Sequence, residues 1–460
     1  MTSAQTESDI FTDKSPPYPD AESLSARLFR RAQAVLPGGN SRHTVLFAPY
    51  PIYAASGRGC YVTDVDGVER VDFVNNYSAL IHGHAHPDVL QALAQQASSL
   101  LAVGLPTESE IALAELLCER YPAVDRVRFA NSGTEAVMLA LHAARAYTGR
   151  TKIAKVEGAY HGLYDHAQMS QAPAAGTWGD AAAPKSVAFS PGIPASSADD
   201  VIVLPFNDTH ATAAILRMHA GDLAAVLIDV MPAHLAYLRV SPEFIRVIED
   251  FTRRSGTLLI LDEVYSLRLN YQGAHAQYGL KPDLMAMGKI IGGGLPIGAV
   301  GGNAEVMRTF ESSAGKRMVP HGGTFNANPM SMTAGLAAMR AYDADAVSEL
   351  NLLGAKARAL IQDAIATARI RAQVTGDGSL MAIRFTDRPL GNYRDLVTTT
   401  MERTLMEFLH RHLLNSGILA APQSLFVLST PMQSREIERL ADACLAGFRA
   451  IVAGHAGELD

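Results

Sequence analysis

The chain has 460 residues, 48% of them hydrophobic and 18% charged, so it is long enough to bury a large core and to divide into two lobes. A formal net charge of −7 provides no basic surface for a nucleic-acid backbone. Its three cysteines are far apart and indicate neither a disulfide framework nor a zinc site. No apolar run approaches the roughly 18 residues that a bilayer requires. We therefore expect a soluble cytoplasmic protein that acts on small molecules, with neither a nucleic-acid nor a membrane partner.

The N-terminal region begins with a polar stretch. Residues 1–20 contain three prolines among Ser, Thr and Asp, which is typical of a mobile arm. Apolar residues at helical spacing predict a helix over 21–35, which the Pro-Gly-Gly sequence at 37–39 ends. Arg42 lies in the loop that follows. Arginine is suited to bidentate binding of a carboxylate, and a solvated surface arginine is the simpler alternative.

Three histidines, His82, His84 and His86, resemble a metal cluster at first sight. No carboxylate or cysteine stands at a ligand-like interval from them, and Pro87 begins a helical pattern over 88–100. We therefore predict no metal site.

A helix N-terminus is predicted within the stretch over 129–136, with the helix beginning at Gly133. Ser132 followed by Glu135 matches a capping box, and apolar residues continue one helical face from Gly133 onward. The first amides of a helix are unpaired and attract anions, and a glycine there lets an anion approach. The sequence thus fits a phosphate site, and it fits an ordinary helix cap equally well.

Tyr160 stands in a short glycine-flanked segment, between Gly158 and Gly162, after a predicted strand over 152–156. An aromatic ring in such a loop can stack on a flat heteroaromatic ligand. A tyrosine packed in the core is the alternative.

The stretch over 256–302 holds the strongest chemical signal. Residues 257–261 are continuously apolar and predict a buried parallel strand whose carboxyl end delivers Asp262 and Glu263. A second apolar segment leads to Lys289, which two isoleucines separate from three glycines. A carboxylate and a lysine facing one crevice form either a buried ion pair or a Schiff-base lysine whose carboxylate partner keeps a cofactor's ring nitrogen protonated.

These motifs together resemble the class III aminotransferases, which are pyridoxal-phosphate enzymes of fold type I. The resemblance rests on Ser-Gly-Thr-Glu-Ala at 132–136, Gly-Ala-Tyr-His-Gly at 158–162, Asp-Glu-Val at 262–264, Gly-Lys-Ile-Ile-Gly-Gly-Gly at 288–294 and Gly-Thr-Phe-Asn-Ala-Asn at 323–328. Within the class, the chain is most similar to the branch of glutamate-1-semialdehyde aminomutases and β-phenylalanine aminotransferases, through residues 37–42, 82–84 and 323–325.

The resemblance implies a role for each matching residue. Lys289 would form the Schiff base with pyridoxal phosphate and then shuttle a proton as general base and acid. Asp262 would pair with the ring nitrogen, and Tyr160 and Val264 would enclose the ring, with His161 beside it.

The phosphate would lie on Ser132, Gly133 and Thr134. Thr324 would reach it from the neighbouring subunit, which implies a homodimer with shared active sites.

The implied fold is α/β: a large, doubly wound, mostly parallel sheet domain with a smaller α+β domain. We expect an arm over 1–20, an N-terminal segment of the small domain over 21–74, the large cofactor domain over 75–328 and the C-terminal small domain over 329–460. Apolar segments that alternate with helical ones agree with such βαβ units.

The substrate is less well defined. By resemblance, Arg42 would bind the substrate carboxylate, whereas Gln423 stands where a second arginine would take the acceptor's carboxylate. Tyr265 and the altered segment over 229–235 add bulk near the ring.

The expected reaction moves an amino group from an amino acid or amine, β-amino and aromatic ones included, to a keto acid. An aminomutase is the alternative, which Gln423 favours, and a non-catalytic cofactor-binding protein is opposed by Lys289 and Asp262.

Overall fold

A computed structural model of the chain describes residues 17–454. Residues 1–16 of the expected arm lie outside the described residues. The remainder of that arm differs from the expectation: Tyr18 is buried against Tyr50, its amide donates to Asn415 Oδ1 at 2.8 Å, and its hydroxyl donates to the Tyr50 carbonyl at 2.6 Å. Because an aromatic ring is packed here, residues 17–20 belong to the folded structure.

Strands and helices alternate through most of the described chain. In order, the strands are β1 (Ala54–Arg58), β2 (Tyr61–Asp64), β3 (Glu69–Asp72), β4 (Arg126–Ala130), β5 (Lys152–Val156), β6 (Val201–Leu204), β7 (Leu223–Ile228), β8 (Leu258–Asp262), β9 (Leu284–Gly288), β10 (Gly298–Gly302), β11 (Gln373–Asp377), β12 (Leu380–Arg384), β13 (Ile418–Leu419) and β14 (Leu425–Val427). The helices are α1 (Leu24–Gln33), α2 (Asn75–Ser78), α3 (Pro87–Ala97), α4 (Glu108–Arg120), α5 (Gly133–Thr148), α6 (Asp165–Gln168), α7 (Thr209–Met218), α8 (Pro242–Ser255), α9 (Ala304–Met307), α10 (Pro329–Ala341), α11 (Ala344–Ala368), α12 (Thr400–Asn415) and α13 (Ser434–Gly454).

The central sheet has seven strands in the order β4-β10-β9-β8-β7-β5-β6. Strands β9, β8, β7, β5 and β6 are parallel, whereas β10 runs antiparallel to both of its neighbours. Gly298 in β10 lies opposite Ala130 on one side and Gly288 on the other. The expected large, mostly parallel sheet is confirmed.

Helices cover both faces of this sheet, which explains why its strands are apolar without alternation. Along β8, Leu259 and Leu261 join one hydrophobic cluster, while Leu258 and Ile260 join another on the opposite face. Because successive side chains of a strand point to opposite faces, both faces of β8 are buried.

Two smaller sheets join the ends of the chain. In one, ordered β1-β2-β3-β13, Val71 of β3 pairs in parallel with Ile418 of β13. The other, β11-β12-β14, is antiparallel. The N-terminal segment therefore packs with the C-terminal one.

Candidate active site

A cavity of about 240 Å³ lies at the carboxyl ends of β7, β8 and β9, against the N-terminus of α5. It is lined by Asn131, Gly133, Thr134, Tyr160, His161, Gly162, Asp229, Ala233, Asp262, Val264, Tyr265, Lys289, Leu295, Pro296 and Ile297. The edge formed by the carboxyl ends of parallel strands is where open α/β sheets bind ligands.

Lys289 follows directly after β9, with its backbone in the left-handed region at φ +50°. Its Nζ lies over the Tyr265 ring, 4.5 Å from the centroid. Burial lowers the pKa of Lys289 to about 8, although the charges of Asp262 and Asp229 act in the opposite direction. A buried ammonium is costly, so an amine that readily loses its proton stands in the cavity.

This pKa leads to a prediction for the protein without cofactor. Lys289 should be protonated below pH 8 and neutral above it, so its acylation by trace acetic anhydride should rise with pH and level off above about 8. The exposed Lys281 provides the internal reference. Peptide mass spectrometry across pH 6–11 measures both rates, and parallel profiles for the two lysines would contradict the prediction.

Asp262 ends β8 and points into the cavity. Its Oδ1 accepts the Val264 amide at 3.0 Å, and its Oδ2 lies 2.8 Å from Nδ1 of His161. Burial lowers the pKa of His161, which leaves the imidazole neutral with Nδ1–H as the donor to the carboxylate. His161 Nε2 has no partner among the described residues.

Asp229 is a second carboxyl group in the cavity wall, just after β7. Burial and the nearby charge of Asp262 raise its pKa well above the usual range, even though the Met231 amide donates to its Oδ1 at 2.7 Å. Two carboxylates that share one buried site cannot both ionise at low cost. The environment therefore favours the neutral form of Asp229.

Glu263, also delivered by β8, has a structural role instead. It is fully buried and accepts hydrogen bonds from the amides of Ala274 at 2.9 Å and His275 at 2.8 Å. It does not line the cavity. The crossover that it anchors contains the short 3₁₀ helices Ser266–Leu269 and Ala274–Tyr278.

The N-terminus of α5 is capped as predicted on one side only. The Ser132 hydroxyl accepts the Glu135 amide at 3.2 Å, but the Glu135 carboxylate accepts the amide of Asn131 rather than that of Ser132. Packing explains why residue 133 is a glycine, since a Cβ there would lie 2.9 Å from Val264 Cγ1. The glycine thus brings Val264 against the first turn of the helix.

Tyr160 stacks on a partner that the sequence did not indicate. Its ring lies parallel to the imidazole of His234, with the centroids 4.8 Å apart and an interplanar angle of 21°. Burial lowers the pKa of His234 to about 4, so this imidazole is uncharged. Tyr160 remains 39% exposed, which leaves the ring accessible from the cavity.

Four expected site residues do not line the cavity: Ser132, whose hydroxyl caps α5, and Arg42, Gln423 and Thr324. Arg42 is exposed, donates to Asn76 Oδ1 at 2.8 Å and lies 5.7 Å from the Tyr77 ring. Gln423 is exposed, and its backbone carbonyl accepts a hydrogen bond from Arg384 at 2.8 Å. Thr324 is exposed on the surface of the chain. Tyr265, by contrast, does line the cavity.

Some lining residues were missed at the sequence level. Asn131 stands directly before the capping serine, and its side-chain Nδ2 donates to Asn326 Oδ1 at 2.6 Å, which ties the helix N-terminus to the 323–328 loop. Its place next to the 132–136 motif was the available signal. Residues 295–297 carry no such signal, because only the pairing of β10 brings them to the cavity.

The histidine segment makes structural contacts. His82 lies 2.9 Å from both Thr430 Oγ1 and the Ala338 carbonyl, and His84 lies 2.9 Å from Asp72 Oδ2. Within residues 17–454 there is no group of three or more His, Cys, Asp or Glu side chains that could hold a metal ion. In the same range, no helix is both long and apolar enough to cross a membrane.

Known proteins resemble this chain over nearly all of its length. The family model "Aminotransferase class-III" matches residues 46–423. A glutamate-1-semialdehyde 2,1-aminomutase of Methanothermobacter thermautotrophicus is 38% identical over 91% of this chain and 97% of its own length. A beta-phenylalanine transaminase of Variovorax paradoxus is 33% identical over 95% of this chain and 94% of its own length.

Solved structures agree with the fold. An omega-transaminase from Sphaerobacter thermophilus has a TM-score of 0.91 and 49% identity, covering 94% of this chain and 98% of that one. A transaminase with PLP bound has a TM-score of 0.86 and 40% identity, covering 94% of this chain and 99% of that one. The fold is therefore fold type I, and both kinds of enzyme in the expected branch are found among the relatives. The chain belongs to the class-III aminotransferase family.

Proposed function

We propose that this protein is a pyridoxal-phosphate-dependent aminotransferase that takes an amino acid or amine as donor and a keto acid as acceptor. The observation that carries the proposal is one cavity in which Lys289 and Asp262 stand close to the N-terminus of α5. A lysine amine, a carboxylate and a helix N-terminus are the three groups that this cofactor requires at its aldehyde, ring nitrogen and phosphate.

The residues present fit the cofactor. Tyr160 and Val264, both in the cavity wall, would enclose the ring from its two sides. Ser132, Gly133 and Thr134 would hold the phosphate with the unpaired amides of the first turn. When bound, pyridoxal phosphate supplies an aldehyde that bonds to amines and a protonated ring that takes up electrons.

The chain's own groups then have separate tasks. Lys289 would hold the cofactor, and its amine would move the proton at the substrate carbon, for which a pKa of about 8 is well suited. Asp262 would keep the proton on the ring nitrogen, and His161 orients the carboxylate through its hydrogen bond. Burial and the charge of Asp262 raise the pKa of Asp229, which disfavours a second negative charge next to this proton.

We further propose a homodimer in which Thr324 contributes to the partner's phosphate site. Large apolar side chains near Thr324 support this: Phe325 and Leu101 are each 61% exposed, and Leu105 is 73% exposed. Asn328 Nδ2 donates to the Leu101 carbonyl at 3.3 Å, so the two segments form one surface. Exposed apolar surface of this kind is typical of subunit interfaces.

The domain boundaries are part of the same proposal. We assign residues 21–74 and 329–460 to a small domain, 75–328 to the cofactor domain, and the whole protein to the cytoplasm. The pairing of β3 with β13 supports the first assignment, because it joins the two distant segments in one sheet.

Donor and acceptor requirements test the function. The purified protein reconstituted with pyridoxal phosphate is offered β-amino acids, α-amino acids and amines, with and without a keto acid, and the cofactor's absorbance is followed. Spectral change on donor addition and turnover that depends on the keto acid would support an aminotransferase. Turnover of glutamate-1-semialdehyde without any keto acid would instead support an aminomutase, which is the name that several relatives carry. No spectral change with any donor would contradict both.

Arg42 is the proposed binding residue for the donor's carboxylate. We expect Arg42→Ala to raise KM for carboxylate-bearing donors about tenfold or more, since a charge-assisted hydrogen bond contributes roughly 1.5–3 kcal/mol, and to leave KM for simple amines nearly unchanged. The exposed Arg246, paired with Glu243 on α8, provides the control substitution. Steady-state kinetics on the three donor classes measure the effect. Equal losses in all classes, or none, would remove Arg42 from the site.

A further inference from the structure

The loop over 158–162, which carries Tyr160, is held from outside the cavity by a segment of the C-terminal part of the chain. Residues 390–397 lie between β12 and α12 and extend to this loop. Gly158 adopts φ +80°, and a Cβ there would lie 2.1 Å from Cδ2 of Tyr393. The Tyr393 ring therefore packs directly on the loop backbone, and its hydroxyl donates to the Pro173 carbonyl at 3.0 Å.

Arg394, the next residue, makes a bidentate ion pair with Glu157. Its Nε donates to Oε2 at 3.0 Å and its Nη2 to Oε1 at 2.9 Å, and Glu157 is 3% exposed. The same guanidinium donates to the carbonyls of Trp178, Gly179 and Asp180 at 3.0–3.2 Å and lies 4.7 Å from the centre of the Trp178 ring. A planar fork that is satisfied in this way fixes position as well as charge.

The buried amine of Lys155 also holds the start of this loop. Lys155 is fully buried, and its Nζ donates to the carbonyls of Val156, Ala159 and Met169 at 3.3, 3.0 and 2.8 Å. Together with the pair of Glu157 and Arg394, these bonds fix the backbone over 155–159 immediately before Tyr160. Neither Arg394 nor Lys155 lines the cavity.

We propose that Arg394 is a positioning residue, which fixes the Tyr160 loop through Glu157 and so makes cofactor binding depend on the placement of the C-terminal segment. This inference rests on the proposed function, because the ring that Tyr160 would stack on is that of pyridoxal phosphate. A purely structural ion pair would stabilise the protein without affecting how tightly the cofactor is bound.

Trp178 makes the test direct, because it is the chain's single tryptophan and lies within this cluster. Arg394→Lys keeps the charge and loses the fork. We expect a changed Trp178 emission maximum and a dissociation constant for pyridoxal phosphate that rises about tenfold, because one of the charge-assisted hydrogen bonds that hold the Tyr160 loop is lost. The matched control is Arg388→Lys: Arg388 pairs with both oxygens of Glu402, at 2.9 and 3.2 Å, away from the loop.

Glu157→Gln is the second variant, which keeps the shape of the carboxylate and loses its charge. It should weaken cofactor binding as Arg394→Lys does, and the double variant should lose little more than either single one, since both substitutions break the same pair. Cofactor affinity within twofold of the Arg388→Lys control in both single variants, with or without a lower melting temperature, would overturn the inference. Wild-type protein that binds no pyridoxal phosphate would instead overturn the proposed function.

Discussion

Lys289→Ala is expected to abolish turnover, with a loss of at least about 10⁴-fold in kcat, because one substitution removes both the covalent bond to the cofactor and the group that moves the proton. The fold should be retained. Burial lowers the pKa of Lys289 to about 8, which means that the folded protein holds this ammonium at a cost, and alanine removes that cost. We therefore expect the melting temperature of the cofactor-free variant to fall little or not at all.

Single-turnover and steady-state assays on the reconstituted variant measure the first effect, and calorimetry of the cofactor-free protein measures the second. Lys281→Ala, at an exposed lysine on the same segment, is the control. Pyridoxal phosphate should still bind to the Lys289 variant without covalent attachment, because the phosphate and ring contacts remain. Multiple turnovers at more than a small percentage of the wild-type rate would remove Lys289 from its proposed role.

Asp262→Asn should lower kcat by about 10²–10³-fold with little change in structure, because asparagine keeps the shape of the carboxylate and loses the charge that holds a proton on the ring nitrogen. Asp229 makes the result more specific. Its pKa is raised partly by the charge of Asp262, so removing that charge should lower the pKa of Asp229 and let it ionise.

We therefore expect residual activity in Asp262→Asn that rises with pH as Asp229 loses its proton. The Asp229→Asn/Asp262→Asn double variant should keep only the rise that the titration of Lys289, with its pKa of about 8, produces. Profiles of kcat between pH 6 and 9 for both variants measure the difference. Activity of Asp262→Asn within a few-fold of the wild type would contradict the role of Asp262, and identical profiles of the two variants would contradict that of Asp229.

The sequence predicted the positions of Lys289 and Asp262 better than the rest of the cavity lining. Lys289 and Asp262 were identifiable because each follows a short apolar run, and the carboxyl ends of parallel strands meet at one edge of a sheet. The same reasoning placed Glu263 at this edge. Whether a residue there lines the cavity depends on the direction of its side chain. Adjacent residues of a strand point to opposite faces, so Glu263 turns away from the cavity and binds the amides of 274 and 275.

Contacts between distant segments could not be predicted. The stack of Tyr160 on His234 joins residues 74 positions apart, and no local pattern encodes it. Gly133 was interpreted as a space for an anion, yet its nearest constraint is the Val264 side chain, which depends on how β8 and α5 pack. Arg42 and Gln423 come from the ends of the chain, where a resemblance assigns a role but not a position relative to the cavity.

The central position of β10 has a consequence for how this enzyme can change its substrate. Gly298 pairs with Ala130 and with Gly288, so the strand that leads to Lys289 and the strand that leads to Ser132 are held two strand spacings apart, about 10 Å. A Cβ at residue 298 would lie 1.9 Å from the Ser132 carbonyl oxygen, which leaves no room for adjustment. The spacing of these two strands is therefore fixed, and with it the distance between Lys289, the proposed bonding residue, and the proposed phosphate site. New donor preferences should arise by altering residues outside this sheet, with the affinity for the coenzyme left intact.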